Sequence, residues 1–401
     1  MTTFAPITID CFKAYDVRGE LGVNLDSTIA YRIGRAFAQI LQTQHQGSTR
    51  TIVIGSDIRP SSTELKLATI DGITDAGVDV IDLGMTGTEE VYFATSHYKA
   101  MGGIEITASH NPINYNGLKL VREDSRPISA DTGLKDIQAL AQSGEFTQAT
   151  KGKVITNTDK TAYIDKLMSF VDVQKFSKKT IVLNSGNGSA GPVVDELERR
   201  LAGSPITLIK HHHTPDGSFP NGIPNPMIIA NQRTTTDAVL NHGADFGVAF
   251  DGDFDRCFLF DETGQFIDGS YIVGMLAAAF LGKHAGESIV YDPRVVYNTE
   301  HVIAQCGGVA HVSKSGHSFI KQVMRETGAI YGGEMSAHHY FRDFCYCDSG
   351  MIPWLLVIEL LSTTGKSLSE LVNDYITSFP SSGELNFKLA MTNASDITAG
   401  L

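Results

Sequence analysis

Basic residues are scarce in this sequence: 32 lysines and arginines stand against 45 aspartates and glutamates, a formal net charge of −13 at pH 7. No stretch of the chain gathers Lys and Arg into a basic stripe. Because neutralising the phosphates of a nucleic acid needs clustered basic side chains, the composition argues against a dedicated nucleic-acid-binding protein. We therefore expect no nucleic-acid partner.

Cysteines and long apolar runs are also scarce. The five cysteines are odd in number and scattered, so they predict neither a disulfide framework nor a complete zinc site. No apolar run reaches the roughly 18–20 residues that cross a bilayer, and the first residues lack the regions of a signal peptide. We expect reduced thiols, a cytoplasmic location and no membrane partner, while the oligomeric state stays unknown.

What the chain does contain is a repeated pattern of secondary structure. Short β-branched runs at residues 51–55, 180–184 and 288–292 each predict a buried strand. A helical pattern and a second strand-like run follow each of them, which is typical of α/β units with parallel strands. At roughly 100–200 residues per domain, a chain of this length allows two to four domains. The pattern predicts three consecutive α/β domains with largely parallel sheets.

Polar stretches indicate where these domains end. Residues 142–159 are rich in Gln, Thr and Lys and are typical of a linker. A turn signal at residues 261–264 and the segment 379–383 mark two further boundaries. We predict domains at residues 1–155, 156–262 and 263–377.

The most informative segment places three carboxylates between two apolar, strand-like runs. Asp251, Asp253 and Asp255 alternate along the chain, so they can converge on one side of an extended or looped backbone. Three carboxylates a few ångströms apart repel one another strongly unless a cation neutralises them. Oxygen ligands favour a hard divalent cation such as Mg²⁺, which usually leaves positions for a phosphate.

Other interpretations fit these segments less well. An EF-hand requires glycine where Arg256 stands, and a haloacid-dehalogenase phosphatase has Thr or Val where Asp255 stands. The apolar residues on both sides of the three aspartates argue against a solvated acidic turn. The pattern of Gly186, Gly188 and Gly191 resembles a dinucleotide fingerprint, but no acidic residue follows about 20 positions on, so it predicts a tight strand–helix turn.

Ser109 lies in a loop rich in turn-forming residues, after a strand predicted at residues 104–107. The loop has no G-x-S-x-G elbow, and the adjacent His110 is expected to point away, so a Ser-His-Asp hydrolase is disfavoured. A phosphorylated serine needs no such triad, and its phosphate carries about −1.5 to −2 charges. A metal held by three aspartates is a natural partner for it, which joins the two segments in one site.

Several runs of sequence together carry a family resemblance: AYDVRG (14–19), TASHNP with NGLK (107–112 and 116–119), DGDFDR (251–256), SKSGHSFIK (313–321) and GGEMSAHH (332–339). In this order they resemble the α-D-phosphohexomutase superfamily, and most closely its bacterial phosphomannomutase branch. The resemblance extends from Cys11 to about Leu389. It implies α/β domains around a central cleft and an enzyme that interconverts mannose 6-phosphate and mannose 1-phosphate and also acts on glucose phosphates. The substrate partner would be a small sugar phosphate.

The resemblance also implies a chemistry. Ser109 corresponds to a phosphorylated serine that donates its group to the sugar, forms a hexose 1,6-bisphosphate and takes back the other phosphate. The same bisphosphate would activate the enzyme by forming the phosphoserine. Arg18 and Lys119 correspond to residues that assist proton transfer and stabilise phosphate. The family's magnesium ligands are matched here by Asp251, Asp253 and Asp255, with the phosphate on Ser109 as a further ligand.

The family likewise implies a set of residues that contact the sugar phosphate. His338 corresponds to a histidine that acts in acid/base transfer, and Met335 stands where mannose/glucose mutases carry Met. The implied substrate-binding residues are Tyr15, Arg256, Arg294, His317, Glu334 and Ser336.

The resemblance weakens toward residue 401. Relatives continue into a fourth domain, whose arginine-containing loop grips the phosphate that is not being transferred, and nothing like that loop follows Leu389. We therefore expect residues 378–401 to be a remnant of a fourth domain. The alternative function is a weakly active or inactive relative that binds magnesium and sugar phosphate without efficient turnover.

Overall fold

The computed structural model describes residues 2–44 and 49–381 of the chain. Within them the chain forms three α/β units in succession, each with its own mixed sheet. The predicted fold class, three consecutive α/β domains with largely parallel sheets, is confirmed. The expected remnant of a fourth domain at 378–401 lies outside the described residues, apart from residues 378–381.

The first unit contains the largest sheet, in the order β2-β6-β5-β3-β4-β9 with β7 beside β6. Strands β5, β3, β4 and β9 run parallel, whereas β2, β6 and β7 are joined by antiparallel pairing, and β1 pairs with β8 in a separate ribbon. The strands are β1 (Thr2–Thr3), β2 (Val17–Glu20), β3 (Thr51–Ser56), β4 (Asp79–Met85), β5 (Gly102–Ile106), β6 (Tyr115–Arg122), β7 (Arg126–Pro127), β8 (Glu145–Phe146) and β9 (Val154–Thr156). The helices are α1 (Ser27–Gln44), α2 (Ser62–Asp75), α3 (Thr88–His97) and α4 (Lys135–Ser143).

The second and third units share one sheet plan, in which three parallel strands are followed at one edge by one antiparallel strand in the second unit and by two in the third. The orders are β11-β10-β12-β13 and β15-β14-β16-β17-β18. The second unit has α5 (Thr161–Met168), β10 (Lys179–Asn184), α6 (Gly191–Arg200), β11 (Ile206–His211), α7 (Ile229–His242), β12 (Phe246–Phe250) and β13 (Cys257–Phe260). The third has α8 (Gly269–Lys283), β14 (Ser288–Tyr291), α9 (Val296–Gln305), β15 (Val309–Val312), α10 (His317–Thr327), β16 (Tyr331–Gly333), β17 (His339–Phe341), β18 (Cys347–Asp348), α11 (Met351–Thr364) and α12 (Leu368–Ser378). Among the described residues, no helix is long and apolar enough to span a lipid bilayer.

Burial on both faces explains why the predicted strands read as continuous apolar runs. In β3, Ile52 and Ile54 belong to the same core cluster as residues of α1, whereas Val53 packs on the opposite side with Val91 of α3. All three side chains of β3 are fully buried. A parallel strand covered by helices on both faces needs apolar residues at every position, because neither face meets water.

One expected linker is partly a strand. Residues 142–159 read as polar connecting chain, yet Val154–Thr156 forms β9 and pairs with β4 along the sheet edge. Val154 and Ile155 are about half exposed, so β9 buries little apolar surface of its own. Its pairing depends on the exposed edge of β4, which a local sequence pattern does not reveal.

The three loops that carry the candidate site residues occupy equivalent positions in their sheets. The Ser109 loop follows β5, the aspartate loop follows β12, and Glu334 follows β16, each at the carboxyl end of a parallel strand. Open α/β sheets bind ligands in the crevice outside these strand ends. The fold thus places loops from three different sheets at equivalent strand ends.

A buried carboxylate, Glu89 of α3, ties the three units together. Its Oε1 accepts hydrogen bonds from the hydroxyls of Tyr163 in the second unit and Ser349 in the third, the latter at 3.0 Å. Its Oε2 accepts from the backbone N–H groups of Gly350 at 2.6 Å and Met351 at 3.3 Å, at the start of α11. A carboxylate at a helix N-terminus satisfies N–H groups that have no partner within the helix.

Glu89 also predicts a pH dependence of stability. Burial raises the pKa of Glu89 to about 8, although hydrogen bonds from Tyr163 and Ser349 act to lower it. The folded protein therefore keeps a proton that the unfolded chain releases above about pH 4.3. The stability linked to this proton is complete below that pH and is lost as the pH rises through about 8. We expect the Tm of the wild type to fall more steeply between about pH 5 and 8 than that of Glu89→Gln, which cannot titrate. Calorimetry at several pH values measures both slopes, and parallel slopes would contradict the assignment.

Candidate active site

Ser109 sits in a tightly constrained loop immediately after β5. Its backbone has a positive φ of 49°, its N–H donates to Thr107 Oγ1 at 2.8 Å, and only 4% of the residue is exposed. A non-glycine residue at positive φ costs free energy unless the surroundings hold it there, and such residues cluster at functional sites. The sequence prediction of a turn-rich loop after a strand is confirmed.

A buried arginine that the sequence did not single out holds this loop. Arg59 donates from Nη2 to the carbonyl oxygens of Ser109 at 3.0 Å and Asn111 at 2.6 Å. From Nη1 it donates to the carbonyls of Pro112 at 2.9 Å and Tyr115 at 3.2 Å. Its guanidinium also lies 3.5 Å from the carboxylate of Asp57. One planar group with several fixed donors thus sets the path of the serine loop.

We expect Arg59→Met to lower the free energy of unfolding by about 3–5 kcal/mol, because it leaves the buried Asp57 carboxylate without its cation. The loop around Ser109 should lose protection from hydrogen exchange at the same time. Calorimetry and exchange of residues 107–117 measure the two effects. Arg233→Met, at a side chain that is 84% exposed, is the control. Unchanged protection from hydrogen exchange in Arg59→Met would show that the Ser109 loop keeps its conformation without Arg59.

The three aspartates lie between β12 and β13 in a tight hairpin loop and are fully or almost fully buried. Asp251 Oδ2 accepts a hydrogen bond from Ser109 Oγ at 2.6 Å, across 142 residues of sequence. Lys119 Nζ lies 2.7 Å from Asp253 Oδ2 and 2.5 Å from Asp255 Oδ2. The structure therefore brings the serine segment and the aspartate segment into one site, as the sequence predicted.

The charges in this cluster do not balance without a cation. Three aspartates face two cations, Lys119 and Arg256, whose Nε lies 3.1 Å from Asp251 Oδ2. Burial raises the pKa of Asp251 to about 7, partly offset by Arg256. Burial also disfavours the charged form of Asp253, but Lys119 outweighs it and holds that pKa well below its usual range.

The donor set fits a hard metal ion. Each of Asp251, Asp253 and Asp255 keeps one buried oxygen, Oδ1, that has no hydrogen-bond partner among the described residues. Ligand atoms of the three carboxylates lie within 4.8 Å of one another. Oxygen-only ligands with unsatisfied lone pairs suit Mg²⁺, which binds through carboxylates and leaves room for a phosphate.

Thr88, at the start of α3, completes the cluster and has no sequence signature. Its Oγ1 donates to Asp253 Oδ2 at 2.5 Å, and its backbone N–H donates to the Asp253 carbonyl at 3.2 Å. Lys119 Nζ lies 3.1 Å from the same hydroxyl. The hydroxyl therefore orients Asp253 and ties α3 to the aspartate loop.

The expectation that His110 points away from Ser109 is wrong. Its Nδ1 lies 3.0 Å from Ser109 Oγ, and Arg256 Nη2 also contacts this nitrogen. The positive φ of Ser109 turns the backbone so that neighbouring side chains share one side. Burial, reinforced by Arg256, lowers the pKa of His110 to about 3, so the ring stays neutral. A neutral histidine that meets a guanidinium at Nδ1 is a poor base for the serine.

Glycine allows the aspartate loop to approach the serine closely. A Cβ on Gly252 would lie 2.5 Å from the carbonyl oxygen of Ser109, and one on Gly188 would lie 2.7 Å from the carbonyl oxygen of Gly252. The predicted tight turn between β10 and α6, which holds Gly188, therefore packs directly against the aspartate loop.

We expect Gly252→Ala to lower kcat by about a hundredfold, because displacing reacting groups by about 1 Å has that effect. The new methyl group would push the aspartate loop away from Ser109 while leaving both sheets intact. Steady-state kinetics and Tm are measured together. Gly282→Ala, which adds a methyl group into open space, is the matched control. Full activity in Gly252→Ala would mean that the two loops need not touch.

A second cluster lies on the loop between β16 and β17 and at the end of β14. Glu334 is buried, and its Oε1 accepts a hydrogen bond from Tyr340 at 2.5 Å. Its Oε2 lies 3.4 Å from Ser336 Oγ and 3.5 Å from Arg294 Nη2. Arg294 also pairs with the carboxylate of Asp292. Three predicted substrate-binding residues, Glu334, Ser336 and Arg294, thus meet.

His338 lies between the two clusters. Its Nδ1 is 2.9 Å from Asp348 Oδ2 and 4.0 Å from Asp255 Oδ1. Burial alone would lower the pKa of His338, but Asp255 and Asp348 outweigh it and raise that pKa.

The remaining predicted site residues are Tyr15, His317 and Arg18. The ring of Tyr15 packs edge-on against His317 at 5.9 Å and against Phe319 at 5.5 Å. Burial lowers the pKa of His317 to about 3, with Lys321 as the next cause. Arg18 pairs with Asp16 at 2.8 Å, and its buried Nη1 has no hydrogen-bond partner among the described residues, which suits a phosphate oxygen.

Comparison with known proteins places this architecture in one family. The chain matches the phosphoglucomutase/phosphomannomutase alpha/beta/alpha domain I family over residues 10–148, domain II over 161–264 and domain III over 268–379. It is 58% identical over 387 residues to a phosphomannomutase of Salmonella montevideo and 57% identical over 387 residues to that of Escherichia coli strain K12. Each of these matches covers 95% of this chain and 84% of the relative.

A solved structure agrees with the sequence relatives. A phosphoglucomutase/phosphomannomutase family protein of Burkholderia thailandensis superposes with a TM-score of 0.82 at 32% identity, over 91% of this chain and 79% of that one. The fold and the sequence matches define a phosphohexomutase, an isomerase that works by phosphoryl transfer. More narrowly, the chain belongs to the phosphoglucomutase/phosphomannomutase family. The resemblance stated from the sequence is confirmed.

Proposed function

We propose that this chain interconverts mannose 6-phosphate and mannose 1-phosphate in the cytoplasm and also acts on glucose phosphates. The observation that carries the proposal is Ser109 Oγ, buried and 2.6 Å from an aspartate of the three-carboxylate loop. Identity of 57–58% to phosphomannomutases over 95% of the chain supports the mannose assignment. The same identity does not favour the alternative of a relative that binds sugar phosphate without turnover.

In this proposal, Ser109 carries a phosphoryl group and transfers it to the free hydroxyl of the sugar. The P–O bond to the serine breaks as the bond to the sugar oxygen forms, and the resulting hexose 1,6-bisphosphate returns its other phosphoryl group to Ser109. Asp251, Asp253 and Asp255 would hold Mg²⁺. When bound, that ion would neutralise charge on phosphoryl oxygens.

The other side chains bind, orient and move protons. Lys119 and Arg18 present cations to the phosphoryl oxygens, and Arg256 keeps its guanidinium within 3.3 Å of Ser109 Oγ. His338 exchanges the proton of the sugar hydroxyl, a task suited to imidazole near neutral pH. The sugar hydroxyls and the distant phosphate would be contacted by Glu334, Ser336, Arg294, His317 and Tyr15.

The experiment combines a coupled mutase assay with mass spectrometry. Purified chain is incubated with magnesium and a trace of hexose 1,6-bisphosphate, then supplied with mannose 1-phosphate or glucose 1-phosphate. We expect turnover of both sugars and a phosphate on the peptide that contains Ser109. A phosphate-free Ser109 in an active enzyme would contradict the mechanism. Turnover of glucose 1-phosphate without mannose 1-phosphate would contradict the mannose assignment.

A further inference from the structure

Behind His338 lies a chain of buried charges that the proposed phosphoryl transfer does not itself use. Asp348, in the short strand β18, is 1% exposed, and its Oδ2 lies 2.9 Å from His338 Nδ1. Its other oxygen, Oδ1, lies 2.6 Å from the Nζ of Lys321 on α10. Lys321 is fully buried.

The first unit covers this chain of charges. The Nζ of Lys321 sits 3.8 Å from the ring centroid of Tyr92, a residue of α3, and 5.9 Å from that of Tyr340. A buried ammonium between an aromatic face and a carboxylate is held firmly, because leaving it unpaired would cost several kcal/mol. Lys321 therefore fixes the position of Asp348 from the side away from His338.

This geometry has one consequence for the imidazole. A carboxylate accepts hydrogen bonds only, so a neutral His338 facing Asp348 must carry its proton on Nδ1. The lone pair then lies on Nε2, on the other side of the ring. The same device, a carboxylate that selects a histidine tautomer, orients the base of serine proteases.

We propose that Asp348, held by Lys321, is a positioning residue that keeps His338 in the Nδ1–H tautomer, with Nε2 free to take the proton of the sugar hydroxyl. The proposal rests on the proposed function for the identity of that hydroxyl. The tautomer itself is a property of the resting enzyme.

The first test reads the tautomer directly. The chain is labelled with ¹⁵N in its histidine rings and loaded with magnesium, and His338→Gln identifies the signals of His338 among the 13 histidines. Long-range ¹H–¹⁵N spectra, recorded at a pH high enough that the His338 ring is neutral, distinguish Nδ1–H from Nε2–H. We expect Nδ1–H in the wild type, and a spectrum dominated by Nε2–H overturns the proposal. This outcome is read on the wild type and does not depend on the substrate, and His338→Gln serves only to assign the signals.

The second test separates positioning from folding. In Asp348→Asn the amide can donate to Nδ1, so we expect the Nε2–H tautomer and a kcat at least about a hundredfold lower, with KM within about threefold. Lys321→Gln should lower kcat by about tenfold. Asp343→Asn, at a carboxylate that is 66% exposed in the same segment, is the matched control. An Asp348→Asn enzyme that keeps wild-type kcat overturns the proposal, and loss of mutase activity in the wild type would instead refute the proposed function.

Discussion

Ser109→Ala is expected to lower mutase turnover by about 10⁴-fold or more, because in the proposed mechanism Ser109 carries the phosphoryl group between substrates. The serine hydroxyl is 2.6 Å from Asp251 and 3.3 Å from Arg256, so its replacement removes the acceptor at the centre of the site. The fold should survive, since alanine tolerates the same backbone path once Arg59 holds the surrounding carbonyls. Coupled kinetics with mannose 1-phosphate measure the loss.

Two further measurements make the Ser109→Ala result specific. Binding of hexose 1,6-bisphosphate, followed by calorimetry, should persist in the variant, because Arg18, Arg294 and Glu334 are unchanged. Ser143→Ala, at the end of α4 in the same unit, should keep wild-type turnover. Residual activity within tenfold of the wild type would show that phosphate passes between substrates without a serine carrier.

The aspartate loop and the serine loop could be predicted to meet because each motif carries its own chemistry. Alternating carboxylates require a cation, and a phosphate on a loop serine is a natural partner for that cation, so the two segments complement each other before any fold is known. Strand and helix patterns also predicted the parallel strands β3, β10 and β14, since buried β-branched runs have few alternatives. Within each sheet, parallel strands then bring their carboxyl ends to one edge.

The residues that hold the site were not predictable in this way. Arg59 and Thr88 reach their partners across 50 and 165 residues of sequence, and Glu89 reaches Ser349 across 260. An isolated Arg, Thr or Glu carries no signal of the carbonyl, carboxylate or helix end that it will meet. Only the assembled topology defines those partners.

The orientation of His110 shows a different limit of prediction from sequence. Neighbouring side chains usually diverge, and the prediction that His110 points away followed that rule. Ser109 departs from this rule with a φ of +49°, and its loop is held by the distant Arg59 as well as by the neighbouring Thr107. Local strain of this kind is a property of the whole site.

Asp253→Asn is expected to weaken magnesium binding at least tenfold and to lower kcat by about 10²–10³-fold, the range seen when one electrostatic group of a transition-state site is removed. Asp253 is the most informative of the three aspartates to replace. It makes no hydrogen bond to Ser109, so its loss leaves the serine contact of Asp251 in place. Titration calorimetry with Mg²⁺ and kinetics at rising magnesium concentration measure the two effects.

The charge balance of the cluster sets the direction of this result. When all three carboxylates are ionised, Asp251, Asp253 and Asp255 carry three negative charges against the two positive charges of Lys119 and Arg256, and Asp253→Asn removes the remaining excess. A neutral cluster gains little from a divalent cation, and Lys119 would then satisfy Asp255 alone. Asp237→Asn, at an exposed carboxylate of α7, has the same net charge as Asp253→Asn and serves as the control. If both variants bound Mg²⁺ equally well, the ion would lie elsewhere, and the three free Oδ1 atoms would need another partner.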